Sequence, residues 1–158
     1  MLELGYMARD KMTGFTGVVE YRTTYIYGCD RYSLQPLVKD GEYKEGYVFD
    51  EPQIEIIPDL ERIVEPQPAP QQLIPLGSKI RDKLLGTEGV AFGRTVYLNG
   101  CSRICLRRVI TKDGTIHNEW IDEEGLEIIE QPKQTIADKP RTGGPGLNAS
   151  WKSPDARR

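Results

Sequence analysis

Histidine is nearly missing from this chain: His117 is the only one in 158 residues. That excludes paired-histidine mechanisms and leaves no convincing zinc set beside the three cysteines, Cys29, Cys101 and Cys105. No apolar run approaches the roughly 18 residues that a membrane-spanning helix needs. The opening MLELGYMARD has neither a basic n-region nor an apolar h-region, so the expected setting is a cytoplasm or a particle assembled there. Glycine-rich phosphate loops and nucleophile elbows are also missing, so the reading is not an enzyme, with no cofactor and no metal. Apolar residues make up only 38% of the chain, whereas 16 glycines and 11 prolines favour turns and linkers over long helices.

What is present is a repeat. RTTYIYGCDR at residues 22–31 returns as RTVYLNGCSR at 94–103, an offset of 72. The same offset matches Leu4-Gly5 to Leu76-Gly77, Arg9-Asp10-Lys11 to Arg81-Asp82-Lys83, and Gly14, Gly17 and Val18 to Gly86, Gly89 and Val90. It continues from Leu34 to Leu106, from Asp50-Glu51 to Asp122-Glu123 and from Glu55-Ile56-Ile57 to Glu127-Ile128-Ile129. Lys39-Asp40-Gly41 finds Lys112-Asp113-Gly114 one residue later, an insertion that a hairpin absorbs. Each unit is about 55 residues, near the lower limit for a domain that folds alone.

Within the unit, turn signals separate short β-favouring runs. Strands are expected over 5–10, 15–22, 31–36, 46–49 and 54–57, with extended chain through Tyr25-Ile26-Tyr27 until Gly28 interrupts it. Lys39-Asp40-Gly41 is the hairpin, and Asp50-Glu51-Pro52 reads as a 3₁₀ turn with Asp50 placed to cap it. Five short strands with such a turn before the last is the layout of an SH3-like barrel. The fold class expected is therefore all-β: two tandem SH3-like five-stranded barrels (1–57 and 76–130), a Pro-rich linker (58–75) and an extended tail (131–158).

Residues 5–41 also carry a resemblance. GYMARDKMTGFTGVV resembles the KOW-type start of an SH3-like barrel. The full pattern, R-D-K-x-T-G-F-x-G-V-V then R-x-x-Y-x-x-G-C and D-G, is similar to small proteins of tailed bacteriophages, often arranged in tandem. It covers roughly residues 4–57 and 76–129, with drift where Gly14-Phe15 becomes Gly86-Thr87. The resemblance implies a phage source and a barrel fold, and brings no catalytic residues.

The repeated core supplies the candidate binding residues: Arg22, Tyr25 and Arg31, with Arg94, Tyr97 and Arg103. Guanidinium forks hold carboxylate or phosphate and an aromatic face stacks on a base, which suits an acidic peptide or a nucleotide-like ligand. The competing reading is internal pairing with Asp10, Asp50 or Glu55 and their counterparts, since those acids are repeated too. Asp50-Glu51 and Asp122-Glu123 read as caps rather than an acid–base pair. The cysteines read as small buried hydrophobes, with Cys29 or Cys101 as the alternative reactive thiol. Cys101 and Cys105, four apart, are expected on one strand face about 13 Å apart, too far for a disulfide. Cys105 and Trp120 have no counterpart type in the first copy.

Five prolines in PDLERIVEPQPAPQQLIP (58–75) suggest a semi-rigid spacer holding the two units apart, with a ligand for SH3-type grooves as the sharper alternative. The tail holds six basic residues (Lys133, Lys139, Arg141, Lys152, Arg157, Arg158) against Asp138 and Asp155, a net +4, so the rest of the chain carries −7 of the overall −3. An acidic body argues against duplex binding by the barrels, while nucleic acid stays open for the tail. Trp151, Lys152, Arg157 and Arg158 suit a partner-anchoring arm. Two functions follow. One is a phage structural or accessory protein binding other phage proteins or further copies of itself, in the virion or the host cytoplasm. The other is a soluble phage binder that sequesters a host nucleotide signal or blocks a host defence protein.

Overall fold

A computed structural model describes residues 1–69, 74–109 and 114–132. The chain is all-β, a ten-stranded antiparallel sheet without an α-helix among those residues, and so without any helix long and apolar enough to cross a membrane. The first copy forms β1 (Met7–Asp10), β2 (Thr16–Tyr25), β3 (Arg31–Gln35), β4 (Tyr47–Asp50) and β5 (Ile54–Ile56). The second repeats it as β6 (Lys79–Asp82), β7 (Glu88–Tyr97), β8 (Ser102–Val109), β9 (Ile116–Asp122) and β10 (Leu126–Glu130). A 3₁₀ turn, Glu51–Gln53 or Glu123–Gly125, precedes each last strand. The order is β5-β1-β2-β3-β4 in one copy and β10-β6-β7-β8-β9 in the other. The sheet is not closed.

The motif residues that recur do the same local work twice. Arg9 pairs with Glu55 at 2.6 Å and Arg81 with Glu127 at 3.1 Å. Lys11 Nζ donates to Pro52 O, and Lys83 Nζ to Glu124 O, tying the first strand to the 3₁₀ turn. Asp10 Oδ2 accepts from the Thr13 amide and hydroxyl, while Asp82 Oδ1 accepts from the amides of Leu84 and Leu85. Those carboxylates order the turn that ends at Gly14 and Gly86, both at positive φ (74° and 71°). At the hairpin, Asp40 (φ 53°) and Gly41 (φ 77°) take the left-handed pair that a tight two-residue turn requires. Lys112 and Asp113 of the matching hairpin lie outside the described residues.

Hydrogen bonds to Thr13 hold the Asp10 carboxyl below its usual range, and those from Arg9, and from Lys79 and Arg81, do the same for Glu55 and Glu88. A carboxylate depressed on folding contributes stability above its unfolded pKa and loses it as pH falls through the folded one. Melting temperature is therefore expected to be flat from neutrality to about pH 5 and to fall below about pH 4. Asp10→Asn should weaken that acid dependence; an unchanged profile in melts followed by circular dichroism would contradict it.

Each copy has its own core. Ala8, Val19, Tyr32, Leu34 and Ile54 form one, and Ile80, Ala91, Ile104, Leu106 and Leu126, with Ile74, form the other. The five pairs stand at the offset of 72, and their volumes compensate: Ala8 becomes Ile80 while Tyr32 becomes Ile104 and Val19 becomes Ala91.

The expectation of two units held apart by the linker needs correction. One edge of β2 is shared. Residues 16–18 pair with β1, and residues 21–25 pair with β7 of the other copy. The partners are Tyr21↔Tyr97, Arg22↔Val96, Thr23↔Thr95, Thr24↔Arg94 and Tyr25↔Gly93. Adding 72 to one side converts Tyr21↔Tyr97 into Gly93↔Tyr25, so a pseudo-twofold axis passes through Thr23 and Thr95. The physical reason is the length of β2, ten residues against four in β1, which leaves an edge of backbone donors and acceptors that a second strand satisfies. Nor is the proline-rich stretch only a spacer. The amides of Ile63 and Val64 donate to Gly5 O, Gln67 N–H donates to Leu98 O, and Ile74 is buried in the second core.

Candidate functional site

Between the copies lies a groove of about 430 Å³. The first copy supplies Tyr25 from β2, Tyr27, Gly28 and Cys29 from the β2–β3 turn and Arg31 from the start of β3; the second supplies Phe92, Cys105, Arg107, Asn118 and Trp120. Phe92 reaches it because the β7–β8 register shifts between Ala91 and Gly93, a bulge that re-aims the side chain. Cys105 and Trp120 face each other across β8 and β9, as do Arg107 and Asn118.

The groove is aromatic with guanidinium at its sides. The Tyr25 ring lies 6.0 Å from Phe92 and 6.5 Å from Trp120. Arg107 stacks on Phe92 and its Nε donates to Asn118 Oδ1 at 2.9 Å. Arg31 stands 5.8 Å over Tyr25 while its Nε donates to Asp50 at 2.9 Å. That hydrogen bond pushes the Arg31 guanidinium further up, keeping it charged. Burial, then the neighbouring Asp50, pushes the Cys29 thiol up, and burial does the same to Cys105, so neither is an activated thiolate at neutral pH. Cys101 precedes β8 and is exposed, so the expectation that it shares a strand face with Cys105 does not hold.

The six candidate residues are only partly brought together. Tyr25 and Arg31 line the groove. Tyr97 and Arg103 form the matching corner on the far side of the axis: Arg103 pairs with Asp122 at 2.8 Å and sits 5.9 Å over Tyr97, whose ring packs on Tyr21 at 5.1 Å. Arg22 and Tyr25, three apart on an unbroken stretch of β2, project to opposite faces. Arg94 is largely buried, with Nη2 donating to Glu123 Oε1 at 2.8 Å and to Ile74 O. The tail anchors Trp151, Lys152, Arg157 and Arg158 lie outside the described residues.

Phe92, Arg107 and Asn118 were not singled out by sequence reasoning, yet a signal for them existed. At the offset of 72 the second-copy lining residues Phe92, Cys105, Arg107, Asn118 and Trp120 correspond to Glu20, Ser33, Gln35, Gly46 and Val48. Every one has changed type. The first-copy side of the groove, by contrast, is built largely from repeated residues, since Tyr25, Gly28, Cys29 and Arg31 recur as Tyr97, Gly100, Cys101 and Arg103. Comparison with family models, curated proteins and solved structures finds no match for the chain.

Proposed function

We propose that the chain is a non-enzymatic structural or accessory protein of a tailed phage, in which each copy is an SH3-like barrel and the pair binds other virion proteins. The repeated strand order, the 3₁₀ turn before the last strand and the long central strand bulged once per copy support the barrel reading. The observation that carries the binding reading is the groove, whose lining from β7, β8 and β9 has departed in type at every position from the first copy. Half-open and lined by aromatic rings, with guanidinium from Arg31 and Arg107 at its sides, it suits an extended peptide bearing an acidic residue. The acidic body and basic tail give such a protein two unlike docking surfaces, and its place is the virion or the host cytoplasm.

Native mass spectrometry of the protein purified from infected cells tests this directly. Recovery in stoichiometric complex with particle proteins is expected, and Trp120→Ala with Arg107→Glu should abolish the complex while leaving the fold intact. Recovery with a bound small molecule and no protein partner would replace this reading with the soluble nucleotide binder.

A further inference from the structure

One side of the pseudo-twofold axis is occupied by the chain itself. Gln67 N–H, in the linker, donates to Leu98 O at 2.7 Å. The Gln67–Pro68 peptide unit then lies over Gly100, where an added Cβ would meet Pro68 O at 2.7 Å and Gln67 Cβ at 3.2 Å. Gly100 is buried beneath it. The seated sequence is Pro66-Gln67-Pro68. Proline has no N–H, so this segment offers one backbone donor between two positions that have none, and each ring holds the residue before it extended. One donor meets one carbonyl, and neither neighbouring position leaves an amide unpaired.

The same receptor geometry stands uncovered on the other side. At the offset of 72, Leu98 and Gly100 become Ile26 and Gly28. Ile26 N–H donates to Phe92 O at 3.0 Å as Leu98 N–H donates to Glu20 O at 2.9 Å, and both glycines take positive φ, 93° and 80°. Among the described residues no backbone amide donates to Ile26 O. Gly28 is exposed, and an added Cβ there meets nothing within 4 Å. The covered turn is also the closed one: Gly100 N–H donates to Tyr97 O and Tyr97 N–H to Cys101 O, and among the described residues neither bond has a counterpart at 25–29.

Where the two sides differ, the uncovered one gains rings. Phe92, Trp120 and Tyr27 stand at the positions of Glu20, Val48 and Asn99. Tyr27 is 76% exposed and Trp120 42%, open aromatic faces on which proline rings pack. Arg107 stands at the position of Gln35 and, among the described residues, pairs with no carboxylate. An acid beside the prolines would meet it.

We infer that the groove takes an extended Pro-x-Pro segment of a partner protein, whose central N–H donates to Ile26 O and whose x–Pro peptide unit lies over Gly28, with a neighbouring acid reaching Arg107. The inference rests on the peptide-binding reading above and adds the class of peptide. Its template is the linker, which fills the equivalent place at Leu98 and Gly100.

The peptide VEPQPA, residues 64–69 of the chain itself, capped at both ends, is the probe. Added to the full-length chain, it should move the amide signals of Tyr27 and Gly28 and the Trp120 indole signal in nuclear magnetic resonance spectra, while those of Leu98 and Gly100 stay in place. Methylating the glutamine nitrogen of the peptide removes the donor and should weaken binding by about tenfold or more. The peptide VEAQAA should also bind several-fold more weakly. Signals unmoved at about 1 mM peptide, movement at Leu98 and Gly100 instead, or equal binding by the methylated or the alanine peptide would each overturn the inference. Native mass spectrometry separates the two readings. Particle proteins recovered with the chain but not displaced by VEPQPA sink only the inference, whereas peptide binding as described with no particle protein recovered sinks only the proposed function.

Discussion

Glu123→Ala is expected to destabilise the protein by about 3–5 kcal/mol, whereas the same change at its repeat counterpart, Glu51→Ala, should cost about 1 kcal/mol or less. The Glu123 side chain is 4% exposed and its partner Arg94 15%. One oxygen accepts from Arg94 Nη2 and the Ile74 amide, and the other from Ser102 Oγ at 2.6 Å and Arg94 Nε at 3.3 Å. Removing the carboxylate leaves a buried guanidinium, an amide and a hydroxyl without their acceptor, which is the costly way to break an ion pair. Glu51 is 28% exposed, and among the described residues its carboxylate meets the Met1 amino group at 3.1 Å and the Tyr32 hydroxyl at 3.4 Å, so water replaces much of what is lost. Urea unfolding of the two variants measures the difference. A loss under about 1 kcal/mol for Glu123→Ala would mean that the buried pair does not form. Arg94→Ala should be similarly severe, so reduced ligand binding by that variant would report unfolding and not a lost contact.

The contrast between those two glutamates shows how far the sequence could be read. Arg-Asp-Lys at 9–11 and 81–83, the paired cores and the strand order within a copy were legible, because periodicity, turn chemistry and duplication all pointed the same way. Arg31 with Asp50 and Arg103 with Asp122 were within reach too, as repeated charges of opposite sign. Glu123 was not, because its burial depends on Ile74, which composition assigns to a polar, proline-rich linker. The groove escaped for a related reason. Reading the repeat favours residues that match, and the lining residues Phe92, Arg107 and Asn118 are ones that do not. The joining of the copies left no mark in composition either. Thr23 and Thr95 are ordinary strand residues until β2 and β7 are seen to share an edge.

That pair yields the second large effect. Thr23 Oγ1 and Thr95 Oγ1 lie 2.7 Å apart, both residues about 5% exposed, each a hydrogen-bond partner for the other on the pseudo-twofold axis. Thr23→Val keeps the shape and the β preference but leaves the Thr95 hydroxyl buried without a partner, at a cost of about 1–3 kcal/mol. Thr95→Val should cost the same by symmetry. The double variant removes both hydroxyls together, replacing a satisfied polar pair by two methyl groups of the same volume, and should recover most of the native stability. The double-mutant cycle therefore carries a coupling of opposite sign to the single losses, and unfolding should remain one cooperative transition because the β2–β7 ladder is kept. Two additive losses would mean that the hydroxyls do not meet. Two separate transitions in the native chain, one per core, would mean that the copies fold apart and that the shared edge contributes little to holding them together.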